Sequence, residues 1–127
     1  MTLRILLVDD NHSFLHAVQR FLGTLADIEV VGLAYNGREA QEQVERLQPD
    51  LVLLDVVMPG MDGFETARAL KAGVRPPRIV FLSLHDNAGY RDMARLHGAE
   101  AFVSKADFGT DLIPILQTLA TAPSKDR

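Results

Sequence analysis

Three carboxylates carry most of the chemistry in this sequence, and their positions suggest that they meet. Asp9 and Asp10 follow the apolar run 5–8, and Asp55 follows the apolar run 51–54. Short, continuously apolar runs read as strands buried on both faces. Two such strands lying parallel as neighbours would deliver all three acids to one edge of a sheet. That much negative charge raises carboxyl pKa values or demands a cation. Ser83 and Lys105 also stand just past strand-like runs, and residues 56–63 form a loop with Gly and Pro after Asp55. Mg2+ takes oxygen ligands, and two carboxylates, a backbone carbonyl and waters suit it. A serine hydroxyl and a lysine ammonium hold phosphate oxygens. A carboxylate beside a metal, with such groups around it, describes an aspartate that attacks phosphorus.

The elements that would position these residues alternate regularly. Strands are predicted at 3–8, 29–34, 51–54, 78–82 and 101–103, rich in Val, Ile and Leu. Helical periods lie between them: Phe14, Val18, Phe21, Leu22 and Leu25; Ala40, Val44 and Leu47; Phe64, Ala67 and Leu70; a weaker Tyr90, Met93 and Ala94; and Leu112, Ile115, Leu116 and Leu119. Asn11, Asn36, Asp62 and Thr110 are the expected N-caps, with Asp62 and Glu65 at capping-box spacing. Gly23, Gly73 and Gly98 are the expected stops, and Pro114 is expected close to the first turn of the last helix. Five strands alternating with five helices imply an α/β fold, a doubly wound parallel sheet with right-handed crossovers. Ligands of such sheets bind beyond the carboxyl ends of the strands, where the three acids would lie.

Composition narrows the field. At 127 residues the chain is expected to form one domain over 1–120, with 121–127 a flexible tail or the start of a linker to an output domain. Thirteen basic residues against 17 acidic, without a dense basic stripe, argue against direct nucleic-acid binding by this segment. Absence of cysteine excludes disulfides and thiolate metal sites. No signal region precedes the first strand-like run and no apolar stretch approaches the ~20 residues of a membrane span, so a cytoplasmic location without membrane contact is expected.

Taken together, the acidic pair Asp9 and Asp10, Asp55 after its apolar run, the loop Met58, Pro59, Gly60, Met61, Asp62, Gly63, and then Ser83, Phe102 and Lys105 resemble a response-regulator receiver domain of two-component signalling. The resemblance covers essentially the whole chain and implies a flavodoxin-like sheet of strand order 2-1-3-4-5. It implies that Asp55 takes a phosphoryl group from a sensor histidine kinase or a histidine phosphotransfer protein. Asp10 would ligate Mg2+ (or Mn2+) directly, Asp9 mostly through water, Val57 through its carbonyl, with Asp55 also in the metal's shell. Lys105 would pair with Asp55 at rest and with a phosphate oxygen afterwards, joined there by Ser83 and the backbone N–H groups of Val57 and Leu84. Ser83 and Phe102 would act as the switch of a helix 4–strand 5–helix 5 face. The implied module signals rather than turns over substrate, though it assists its own phosphorylation and dephosphorylation.

Two features depart from the commonest family pattern. Ala106 stands where many receivers have proline, usually with a cis peptide. A cis bond before alanine costs ~3 kcal/mol or more, which leaves open whether it is kept. The segment 104–112 instead resembles receivers joined to helix-turn-helix DNA-binding domains, so control of transcription is the expected output, through a C-terminal DNA-binding domain or a homodimer formed on phosphorylation. Secondly, the rate-tuning positions are Val57, which cannot orient a hydrolytic water, and His85, which would either touch the phosphate or obstruct access; slow self-dephosphorylation follows.

Plainer readings compete residue by residue. Asp9 and Asp10 could cap a helix, Ser83 could be an ordinary turn residue, Lys105 a solvated charge and Phe102 core filling. His12 and His16 have zinc-binding spacing but no evident third ligand, so exposed polar residues are expected. The alternatives from other classes are a flavin-binding protein of the same fold, an aspartyl phosphatase, and a receiver-like interaction module that is never phosphorylated. Two acids where a flavin-binding protein needs a phosphate-binding glycine loop disfavour the first, and Val57 in place of a second acid disfavours the second.

Overall fold

The computed structural model describes residues 2–85 and 87–121. Of the expected tail 121–127, Thr121 is instead the last described residue of a helix, and 122–127 lie outside the described residues. Five strands, β1 (Leu3–Val8), β2 (Ile28–Ala34), β3 (Leu51–Asp55), β4 (Arg78–Ser83) and β5 (Ala101–Ser104), alternate with α1 (His12–Leu22), α2 (Gly37–Leu47), α3 (Gly63–Lys71), α4 (Ala88–Leu96) and α5 (Phe108–Thr121). All strand pairs are parallel, in the order β2-β1-β3-β4-β5. This is the doubly wound arrangement that the alternation implies. The strands run further at their carboxyl ends than the apolar runs suggested, so Asp55 and Ser83 are themselves ladder residues.

Side-chain alternation along the strands divides the core in two. Leu3, Ile5, Leu7, Leu51, Leu53, Val80, Leu82 and Val103 pack with α1 and α5 through Leu15, Val18, Leu22, Leu112, Leu116 and Leu119. Leu6, Val8, Val52, Leu54, Ile79 and Phe81 pack on the other face with Ala40, Phe64, Ala67, Leu70 and Ala94 from α2, α3 and α4. Both faces of the sheet are thus covered, which is why its strands are apolar almost throughout. Leu15 belongs to the buried stripe of α1, whereas Phe14 and Phe21 are only half-buried and Leu25 follows the helix. Met93, expected inside, is exposed.

Caps form at Asn11, Asn36 and Asp62, whose side chains accept from Phe14, Glu39 and Glu65 N–H groups, and Asp62 with Glu65 closes a capping box. Asn87 caps α4 in the same way. Gly98, in the left-handed region at φ 70°, follows the end of α4, while Ala72 is the C-cap of α3, one residue before Gly73. The last helix departs from expectation. Ser104, not Thr110, begins the helical path: its hydroxyl accepts from Ala106 N–H, a 3-10 turn Lys105–Asp107 follows, and α5 continues directly from Phe108. Thr110 and Pro114 therefore lie inside the helix, and Pro114 offers no N–H to the Thr110 carbonyl. No described peptide bond is cis, so the bond before Ala106 is trans.

The loop after β3 turns back very tightly. Gly63 N–H donates to the Val56 carbonyl at 2.7 Å. A Cβ at Gly63 would overlap the Asp55 carbonyl oxygen and stand 2.7 Å from Val56 Cα. These are backbone atoms, which cannot move aside as a flexible side chain can. Gly63→Ala is accordingly expected to cost about 3 kcal/mol or more, seen as a lower urea midpoint; a variant with the wild-type midpoint would contradict this close approach.

Candidate functional site

Register brings the acids together. Val8 pairs with Leu54 across β1 and β3, so Asp9 leaves the sheet beside Asp55. Both continue the side-chain row that faces α1 and α5. Ser83 pairs with Ser104 across β4 and β5, which sets Lys105 just past the same edge. Asp9, Asp10 and Asp55 each present a carboxylate oxygen within 4.8 Å of the others. Asp9 and Asp55 are buried and Asp10 is exposed.

The Lys105 ammonium reaches both buried acids, at 2.5 Å from Asp9 Oδ2 and 3.4 Å from Asp55 Oδ1, with its side chain only 7% exposed. The lysine thus sits closer to Asp9 than to the Asp55 with which the resemblance pairs it. Asp9 Oδ1 accepts from Asn11 N–H at 2.9 Å. Asp9 Oδ2, by contrast, accepts no aligned hydrogen bond and is the one such orphan among buried side-chain oxygens and nitrogens of the described residues. Its contact with Lys105 is therefore an ion pair by proximity rather than a directed bond.

Burial, and next the charge of Asp9, push the Asp55 carboxyl from the usual 3.8 up to about 7. A hydrogen bond with Asp9 adds to the rise, while Lys105 and the Val57 N–H, which donates to Asp55, oppose it. Two buried acids share one ammonium here with Asp10 close by, and the Asp55 carboxyl binds a proton more readily than a lone aspartate does. A divalent cation would relieve the same excess. The donor set fits one: all oxygen, two carboxylates from adjacent strand ends plus exposed Asp10, and a buried Asp9 oxygen without a directed partner.

The remaining expected residues lie around this centre. Ser83 is buried and its Oγ accepts from His85 N–H at 3.0 Å. Val57 and Leu84 side chains are exposed, as is His85, whose ring stands edge-on to Tyr90. Phe102 is half-buried on the α4 side, with the Arg91 guanidinium 5.0 Å from its ring centre. His12 and His16 are exposed, and His12 stacks on Tyr35 at 3.9 Å; among the described residues the only metal-competent group is that of the three acids.

Sequence reasoning missed three contributors. Phe14 fits one amphipathic stripe, yet its ring covers the Lys105 ammonium at 4.6 Å. Gly37 carries no local signal, although a Cβ there would overlap Thr66 Oγ1 and crowd Met61 Sδ at 2.8 Å, so it lets α2 seat against the loop that follows Asp55. Ser104 is the cap that starts the turn carrying Lys105. Only the last had a local signal, a hydroxyl immediately before a helical segment.

Known proteins are similar to this chain in sequence and fold. A family model described as the response regulator receiver domain matches residues 5–116. A protein-glutamate methylesterase/protein-glutamine glutaminase of Nocardioides sp. is 42% identical over 81% of this chain, which spans 29% of that protein's length. The response regulator protein VraR of Staphylococcus saprophyticus is 32% identical over 88% of this chain, which spans 54% of it. Among solved structures, the signal receiver domain of the response regulator NarL from Mycobacterium tuberculosis superposes with a TM-score of 0.87 at 32% identity, covering 96% of this chain and 98% of that one.

The raised carboxyl has a consequence for stability. Because the folded value of about 7 lies above the usual 3.8, stability is full at low pH and falls as pH rises through the window between them, by on the order of 3 kcal/mol. Asp55→Asn removes the group that must ionise. In metal-free buffer the variant should melt above wild type at about pH 8 and lose that advantage toward about pH 4. Melting curves across this range check it, and a gap that fails to widen with pH would contradict the assignment.

Proposed function

This chain belongs to the response regulator receiver family, and from that premise we propose that it accepts a phosphoryl group on Asp55 from a phosphohistidine of a sensor histidine kinase or a histidine phosphotransfer protein. One observation carries the reading: a buried carboxyl at the end of a central strand, flanked by a second carboxylate and an ammonium. An Asp55 oxygen forms the new bond to phosphorus as the phosphorus–nitrogen bond of the donor breaks, and the departing imidazole takes up a proton.

Asp10 and Asp9, with Asp55 and the Val57 carbonyl, would hold Mg2+, for which Mn2+ can substitute. When bound, the ion neutralises charge on the transferring group and on the acids around it. Lys105 turns from the carboxylates toward a phosphoryl oxygen, and Ser83 with the Val57 and Leu84 N–H groups would hold the others. About two added negative charges thereby give Lys105 and Ser83 new partners. Phe102, on the same face of the sheet as Ser83, would follow into the space that the hydroxyl vacates and change the surface around α4, β5 and α5.

Val57 is apolar and 51% exposed, and so offers a water near the phosphate no acceptor. With His85 beside the same mouth, slow loss of the phosphoryl group follows. For the output we favour transcription, on the strength of segment 104–112; the 42% likeness to a methylesterase supports an enzymatic output as the second reading. In either case the receiver is the signalling part and domain limits of 1–120 are proposed for it.

Acetyl phosphate with Mg2+ should add one phosphoryl group to the wild type by intact mass, and none to Asp55→Asn or to wild type in chelator. Wild type that gains no mass would leave only an interaction module that works unphosphorylated. After removal of the donor the added mass should persist for minutes or longer; decay within seconds would contradict the roles given to Val57 and His85.

A further inference from the structure

We infer that Phe14 is a positioning residue for Lys105, holding the ammonium by its ring face where both buried carboxylates are within reach. The inference rests on the phosphoacceptor reading above and adds to it a residue outside the charged set. Nζ lies 4.6 Å from the centre of the Phe14 ring, while Asp9 and Asp55 stand at 2.5 and 3.4 Å. The lysine side chain is nearly sealed from water, so its ammonium needs favourable surroundings beyond the two carboxylates. The ring supplies them through its electron-rich face.

A ring differs from a water or a carbonyl in that role because it has no lone pair to align with. Nζ can pivot between Asp9 and Asp55, or an oxygen added to Asp55, without breaking a directed bond on the ring side. A partner of that kind suits an ammonium that must change carboxylate for phosphoryl during the reaction.

The ring is itself held in place from two directions. At its backbone, Phe14 N–H donates to the Asn11 side chain at 3.0 Å, and Asn11 N–H donates to Asp9, so the ring is tied to the very acid that Lys105 contacts. At its edge it meets Phe108 at 5.6 Å and 73°, and Phe108 meets Phe21 at 5.6 Å and 83°. Phe108 opens α5, three residues after Lys105. Lysine and ring are thus anchored to the same short stretch of chain from opposite sides. Plain core filling is the competing account, and leucine distinguishes the two, since it keeps apolar bulk and loses the ring face.

Phosphorylation by acetyl phosphate at saturating Mg2+ should slow roughly 2- to 30-fold in Phe14→Leu, the range expected for loss of a partly buried cation–ring contact. Phe14→Tyr should stay near the wild-type rate. Mn2+ affinity, read by water proton relaxation, should stay within about twofold in all three, because neither substitution removes a carboxylate or carbonyl oxygen. NMR of the Lys105 ε-protons should show an upfield ring-current displacement in wild type and Phe14→Tyr that disappears in Phe14→Leu. A leucine variant at the wild-type rate, equal slowing in both variants, or undisplaced ε-protons in wild type would overturn the inference. Wild type that takes up no phosphoryl group would instead overturn the phosphoacceptor reading, and the kinetic part of this one with it.

Discussion

In a parallel sheet the pairing register decides which residues leave the strands together, and here it decides everything that follows. Val8 beside Leu54 commits two aspartates to adjoining strand ends, and Ser83 beside Ser104 commits a lysine to the same edge. Shifting the first pair by one residue would turn a carboxylate into the opposite core, and shifting the second would turn the lysine there. Once the acids are side by side in a buried place, their repulsion must be answered. The answers are a raised proton affinity at Asp55, an ammonium beside the two buried acids, N–H donors from Asn11 and Val57, and an oxygen set suited to a divalent cation. Gly63 belongs to the same logic, since only a residue without a side chain lets the loop fold back over the Asp55 carbonyl.

The sheet also separates two kinds of behaviour. Asp9, Asp55 and Lys105 lie toward α1 and α5, while Ser83 and Phe102 lie on the row that faces α4. The charged centre and the residues expected to move with it thus belong to different cores, joined only at the strand ends. α1 and α5 bury Leu15, Val18, Leu22, Leu112, Leu116 and Leu119, whereas α4 buries Ala94 alone. A helix with so little buried is the one least anchored against displacement.

Most of this architecture was legible in the sequence, because strands covered on both faces are apolar at every position and turn residues punctuate them. The acids were legible for the same reason: in a parallel sheet, residues that end successive apolar runs end up at one edge. What escaped depended on contacts between elements far apart in the chain. Phe14 fits a helical stripe whether it fills a core or covers a lysine, and nothing local distinguishes the two. Which acid Lys105 approaches more closely depends on where the turn after β5 begins, and Ser104 starts that turn six residues before the expected cap at Thr110. Gly37 matters only because Thr66 of α3 and Met61 of the loop before it come against it. Met93 satisfied a helical period, but α4 rests on the sheet through a narrower strip than that period assumes.

Pro114 gives the last helix an uneven mechanical character. One backbone bond is missing between Thr110 and Pro114, while Leu112, Leu116 and Leu119 remain buried beneath. A missing rung makes that turn the softest point in the rod. Tugging on Lys105 would therefore bend the rod near its start and leave its far half seated, confining any displacement to the stretch around Phe108 and Gly109.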